Sequence, residues 1–225
     1  MKSNAFGTHA SPAYVEGPPR QVPGFASLHR MVSLLLAERV SGDGRILVLG
    51  AGGGLELRAL AEAHPGWRFD GVDPSAAMLE LARDTAAPHM DRIALHQGYV
   101  DVAPEALFDG AVSLLTFHFI PREDRLETLR QLRRRLGPGA PLVIAHISFS
   151  QTEPERSAWI ARHVAWPAAP DADPAQLESA RQAIGTRLSI LAPEEEEAVL
   201  REAGFTGVSL FYAALSFRGW VAYAG

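Results

Sequence analysis

The sequence predicts a doubly wound α/β fold: a mostly parallel seven-stranded sheet, covered by helices and finished by an antiparallel hairpin. Three observations carry that expectation. Short apolar runs alternate with helical spacings from Arg45 onward. A glycine-rich turn, Gly50-Ala51-Gly52-Gly53-Gly54, joins the first such run to the first such helix. The last two apolar runs, Val208 to Ala213 and Leu215 to Ala224, have almost no chain between them, and so short a connection permits only antiparallel pairing.

The elements follow in order. Met1 to Pro23 carries Gly7, Pro12, Gly17, Pro18, Pro19 and Pro23 without an apolar period, so residues 1–25 are expected to form an arm or lid ahead of a single domain, 26–225. Leu28, Met31, Val32, Leu35 and Leu36 give Ala26 to Val40 helical spacing. Arg45 to Leu49 reads as the first strand and Leu55 to His64 as its helix. Arg68 to Val72 is the second strand, after which Asp73-Pro74-Ser75 opens a helix with proline where a missing N–H costs little. Arg92 to His96 and Gly110 to Thr116 are strands three and four. Arg122 to Leu136 is a helix closed by Gly137-Pro138-Gly139, and Pro141 to Ile147 is strand five. Glu153 to His163 and Pro174 to Thr186 are two further helices within an insert, residues 153–187, that is expected to cap a pocket. Glu194 to Ala203 is the last helix, ending at Gly204.

Composition sets outer bounds. The chain has 225 residues, enough for one domain with both sheet faces covered. No apolar run reaches the ~20 residues of a membrane helix. The N-terminal residues lack the charged-then-apolar pattern of a secretory signal, so a cytoplasmic location is expected. Without cysteine there is no disulfide, thiolate nucleophile or cysteine metal site, and the eight histidines show no H-E-x-x-H spacing, so no metal is expected. A net charge of −5 argues for a small-molecule partner and against a nucleic-acid partner. The oligomeric state stays open, a homodimer included.

The chemistry concentrates between Arg45 and Asp73. Glycines let the backbone turn sharply and approach a ligand, and the helix that follows points unpaired N–H groups at the same spot. Asp73 ends the next strand, where a carboxylate can accept from both hydroxyls of a ribose. That is a nucleoside site. A dinucleotide turn needs G-x-G-x-x-G, yet the third glycine position holds Leu55; the sequence has G-x-G-x-G at Gly50, Gly52 and Gly54.

That spacing, with Asp73 and the terminal hairpin, resembles the class I S-adenosylmethionine-dependent methyltransferase superfamily, from about Val22 onward. Arg20-Gln21-Val22-Pro23-Gly24-Phe25 is similar to the R-x-V-P-G-aromatic opening of carboxy-S-adenosylmethionine synthases and nearby methyltransferases. Glu202-Ala203-Gly204-Phe205 and Leu210 to Phe217 also look like that group's final helix and hairpin. The resemblance implies S-adenosylmethionine as cofactor and S-adenosylhomocysteine as product. Carried over position by position, it implies cofactor contacts at Phe25, Gly50, Ala51, Gly52, Asp73, Pro74, Asp101 and Val102, with Met78 and Thr116 joining the set. Three positions depart from the pattern. The acid usual two residues before the first glycine is Val48, the polar residue near the end of strand four is Leu114, and the arginine that grips an extra carboxylate falls on Ala183, with Arg181 and Arg187 nearby.

Other residues have two readings. Arg20, on the arm, can reach the cofactor carboxylate or be a solvated arginine. His118 and His146 follow or end strands four and five, at the edge where open α/β sheets bind ligands. Each can orient an acceptor or take its proton, or be a hydrogen-bonded structural imidazole. Arg130, Arg133, Arg134 and Arg135 near a helix C-terminus, and Glu194 to Glu197 at a helix N-terminus, suit the helix dipole. The sequence therefore leads to in-line methyl transfer to a small molecule. A cofactor-modifying enzyme like the carboxy-S-adenosylmethionine synthases, and a non-catalytic cofactor-binding domain, are the alternatives.

Overall fold

The computed structural model describes residues 12–225. Its strands are β1 (Arg45–Leu49), β2 (Arg68–Asp73), β3 (Ile93–Gln97), β4 (Gly110–Leu114), β5 (Pro141–Ile147), β6 (Phe205–Ala214) and β7 (Phe217–Ala224). The helices are α1 (Gly17–Gln21), α2 (Phe25–Ala37), α3 (Leu55–Ala63), α4 (Ala76–Thr85), α5 (Arg122–Arg134), α6 (Glu155–Ala165), α7 (Pro174–Arg187) and α8 (Pro193–Glu202). Among the described residues no helix is long and apolar enough to cross a membrane.

Strands β4 and β5 are buried at every residue, which is why they read as continuous apolar runs rather than alternating ones. All seven strands join one sheet in the order β3-β2-β1-β4-β5-β7-β6, and β7 alone runs against its neighbours. Adjacent residues of each strand feed opposite faces. Val48, Val112 and Val143 pack with Leu28, Val32 and Leu36 of α2 and with Leu57 and Leu60 of α3. Leu47, Ala111, Leu142 and Ile144 pack instead with Leu129 and Leu132 of α5, Leu200 of α8 and Trp220. From β1 the order runs outward to β2 on one side and to β4 on the other, so the crossovers part at the carboxyl ends of β1 and β4. Such a parting leaves a crevice between the helices.

Several expected boundaries move for local reasons. Strand β4 stops at Leu114 because Leu115 takes φ 57° and turns the chain out of the sheet. Pro74 lies outside α4: Ser75 is the cap, its Oγ accepting from Met78 N at 3.3 Å. The hairpin turns at Leu215 and Ser216, with Leu215 at φ 54°. Of the expected arm, residues 1–11 lie outside those described; the rest holds a 3₁₀ turn, Pro12–Glu16, and the short α1. The Tyr212 hydroxyl donates to Pro23 O, tying the end of this segment to β6.

One buried polar group interrupts the apolar layer between β5, α5 and α8. Arg125 donates to Glu196, Ser189 O and Ile120 O, while His146 Nε2 lies 2.9 Å from Glu196 Oε1. Burial alone would raise the Glu196 carboxyl, but His146 and Arg125 outweigh it and hold it below the usual carboxylate range. Replacing Glu196 by alanine leaves a buried guanidinium without its carboxylate, so urea unfolding should show a loss of about 3–5 kcal/mol. His118 is held well below its ordinary value by burial and by the charges of His146, Arg125 and His163. The unfolded chain therefore takes up protons that the folded chain refuses, and stability should fall as pH drops below about 6.5. His118→Gln should flatten that fall, as measured by urea midpoints between pH 7.5 and 5.

Candidate functional site

Two positions of the glycine turn, Gly50 and Gly54, have no room for a side chain. Gly50 has φ 76°, and a Cβ on it would fall 2.0 Å from Thr116 Oγ1. Gly54 has φ 79°, and its Cβ would meet the Ala82 backbone at 2.8 Å, so this glycine sets how closely α3 approaches α4. Gly50 N and Ala51 N both donate to Val72 O, at 2.8 and 3.0 Å, which clamps the turn to the end of β2. Gly52 N then donates to Asp73 Oδ2 at 3.0 Å, and Ser75 N donates to Asp73 Oδ1 at 2.9 Å. Each carboxylate oxygen thus keeps accepting capacity for one further donor. Burial pushes the Asp73 carboxyl up from its ordinary value, against the two hydrogen bonds.

A cavity of about 1000 Å³ opens over this turn. Of the residues expected at the site, Phe25, Gly50, Gly52, Asp73, Pro74, Met78, Asp101 and Thr116 line it. Others do not. Ala51 is wholly buried with its side chain toward Gly71. Val102 is exposed and packs over Gly98, whereas Val100, two residues earlier, lines the cavity. Arg20 is an exposed partner of Glu16 at 2.8 Å. Val48 lies in the core, whereas Leu114 lines the cavity. Arg187 also lines it, while Arg181 pairs with Glu178 at 3.2 Å on α7.

His118 and His146 are absent from the lining, which corrects the expectation that both face the ligand edge. His146 is fully buried between the Phe117 and Trp220 rings, against Glu196. His118 is also buried; its Nδ1 accepts from Ile147 N at 3.4 Å, and its carbonyl accepts from Ser189 N at 2.9 Å. Their place along the strands is right, but their side chains enter the layer shared with α5 and α8.

Tyr14, His29 and Glu56 are among the lining residues that were not anticipated. The Tyr14 ring covers Gly53, where an added Cβ would lie 3.1 Å from it. Burial, with the Glu56 and Asp73 charges, pushes its hydroxyl up to about 12. His29 stands one helical turn after Phe25, its ring 4.4 Å from the phenyl centroid, and burial beside Arg58 brings it down to about 4. Glu56, on the first turn of α3, is buried and pushed up to about 8, chiefly by that burial and further by Asp73. Glu56 had a signal in the sequence: an acid between Leu55 and Leu57, directly after the glycine turn.

Residues 46–139 match the family described as a methyltransferase domain. Among curated proteins, the carboxy-S-adenosyl-L-methionine synthase of Chromohalobacter salexigens is 28% identical over 214 residues, covering 91% of this chain and 77% of the relative. These matches support the chain's resemblance to the class I S-adenosylmethionine-dependent methyltransferase superfamily. Two solved structures share its fold. An O-methyltransferase family protein from Burkholderia thailandensis has a TM-score of 0.66 at 15% identity, over 89% of this chain and 56% of that one. Human N-acetylserotonin methyltransferase, in complex with S-adenosylmethionine, has a TM-score of 0.59 at 16% identity, over 86% of this chain and 51% of that one. The matched methyltransferase domain holds the glycine turn, Asp73, Asp101 and Thr116; α2, α7 and the hairpin lie outside it. A turn built this way should not tolerate a side chain at Gly54. Gly54→Ala should lower stability by more than about 2 kcal/mol, from left-handed strain and the Ala82 backbone. Gly53→Ala, facing only the Tyr14 and Leu81 side chains, should cost less. Parallel urea titrations of the two variants test this ordering.

Proposed function

We propose that the chain is a cytoplasmic methyltransferase that binds S-adenosylmethionine over the glycine turn, transfers its methyl group to a small molecule and releases S-adenosylhomocysteine. The observation that carries this reading is Asp73, held by N–H groups on both sides with one accepting site left on each oxygen. A vicinal diol fits that pair of sites, and the side-chain-free turn beside it admits the rest of the nucleoside. Met78, Pro74, Asp101, Thr116 and Phe25 line the cavity around it. The cavity's size suits the cofactor together with a small acceptor.

The sulfonium supplies an electrophilic methyl, so the protein's work is alignment and exclusion of water. The segment through Tyr14 and Phe25 acts as the lid, and the insert 153–187 ends at Arg187 on the acceptor side. His118 and His146, buried away from the cavity lining, are not placed to take a proton from the acceptor. The net charge of −5 suits a small acceptor rather than a nucleic acid.

A second reading is favoured by the relatives named carboxy-S-adenosyl-L-methionine synthase and by Arg187 in the cavity wall, which suits a carboxylate. Mass spectrometry of the purified protein with S-adenosylmethionine, alone, with prephenate and with a panel of acceptors, separates the readings. Methylated acceptor with S-adenosylhomocysteine is expected. A carboxylated cofactor would replace methyl transfer with the second reading, and binding without turnover would leave a non-catalytic domain. For the site itself, Asp73→Ala should weaken S-adenosylhomocysteine binding by about tenfold to a hundredfold in calorimetry, the loss of hydrogen bonds to a charged acceptor. Unchanged affinity contradicts the placement of the ribose.

A further inference from the structure

We infer that Glu56 is the anchor for the amino acid end of the ligand: its carboxylate pairs with the ammonium group of the methionine moiety. The inference rests on the cofactor reading above and adds a residue that the resemblance to known families does not supply. Glu56 follows Gly54 by two residues, on the first turn of α3, and its side chain is only 8% exposed while lining the cavity. The hydrogen bond that reaches it comes from its own backbone, and among the described residues none of the groups acting on it is a cation. Asp73 differs, since both of its oxygens are already oriented by backbone N–H groups. A buried carboxylate without a counter-charge is costly to ionise, and arrival of a cation removes that cost.

S-adenosylmethionine brings two cations. The sulfonium has no N–H to donate and loses its charge during transfer. A carboxylate beside it would stabilise the reactant more than the transition state. The ammonium keeps its charge throughout and offers three donors, so a carboxylate there binds without slowing the reaction. Tyr14 reinforces the arrangement: its hydroxyl would lie 3.9 Å from a Cβ on Gly52, and it covers the same end of the cavity.

The neighbouring titratable groups are Asp73 at the end of β2, Tyr14 on the N-terminal turn, and His29 on α2 with Arg58 on α3 behind it. Burial and Asp73 push Glu56 up to about 8, so at pH 7 it is mostly protonated in the free protein. Pairing with an ammonium ionises it, and the proton leaves to the buffer. His29, brought down to about 4, is neutral at pH 7.

Two ligands test the assignment on the full chain. S-adenosylhomocysteine carries the ammonium and no sulfonium, while 5′-methylthioadenosine keeps the nucleoside and thioether but lacks the amino acid. Calorimetry at pH 7 should show Glu56→Gln weakening S-adenosylhomocysteine by about tenfold to a hundredfold, the range for a charge-assisted bond, with methylthioadenosine affinity unchanged. Wild-type titrations in phosphate and in Tris should reveal proton release with S-adenosylhomocysteine and none with methylthioadenosine. The wild-type measurement decides the matter even where Glu56→Gln fails to fold. Equal weakening of both ligands, unchanged S-adenosylhomocysteine affinity, or equal proton release with both overturns the assignment. Failure of both ligands to bind the wild-type protein overturns the cofactor reading itself.

Discussion

Asp73 stands between two turns, and its carboxylate accepts one N–H from each: Gly52 on the glycine turn and Ser75 at the start of α4. The site depends on that double acceptance. It fixes the carboxylate plane without a side-chain partner, so the oxygens face the cavity in one orientation. It also ties the turn after β1 to the turn after β2, which Val72 O reinforces by accepting from Gly50 N and Ala51 N. The requirement for glycine follows from this closeness. With the turn drawn against β2 on one side, Thr116 and Ala82 occupy the space where side chains at Gly50 and Gly54 would stand. Strand order creates the crevice, but these hydrogen bonds decide its floor.

The buried cluster of Arg125, Glu196 and His146 serves a different end. It lies in the layer between β5, α5 and α8, away from the cavity, and it joins elements distant in sequence. Arg125 also holds Ser189 O, and Ser189 N donates to the carbonyl of His118. Ser189 lines the cavity. The cluster therefore positions the chain that leaves α7, and with it Arg187 and Leu188 on the cavity wall. Its charges act through backbone geometry rather than by touching a ligand.

Much of the fold could be read from local pattern, because parallel strands buried on both faces must be continuous apolar runs; β1 and β5 have the expected limits. Boundaries moved where single residues took special backbone conformations, as at Leu115 and Leu215, which no periodicity signals. The glycine turn and Asp73 were legible for the same reason the strands were: the geometry lies within a short stretch of chain. His118 and His146 kept two readings in the sequence because position at the carboxyl end of a strand does not say which face a side chain enters. Along β5 that face alternates, and His146 shares its side with Leu142 and Ile144. Tyr14 was invisible because its contact with Gly53 spans most of the N-terminal chain and has no local pattern.

The division of the cavity follows from where its walls originate. Its floor comes from β1, β2 and the turns after them, all within the matched methyltransferase domain. Phe25 and His29 come from α2, and Arg187 and Ser189 from the end of the insert, all outside that domain. A floor built from backbone N–H groups and a bridged carboxylate leaves little freedom, since changing one residue moves the others. The outer walls are side chains on helices that meet the sheet through apolar packing, and such packing tolerates exchange of the outward residue. The floor and the outer walls are thus held by different kinds of interaction, and Glu56 stands with the first: it lines the cavity on the first turn of α3, two residues past Gly54.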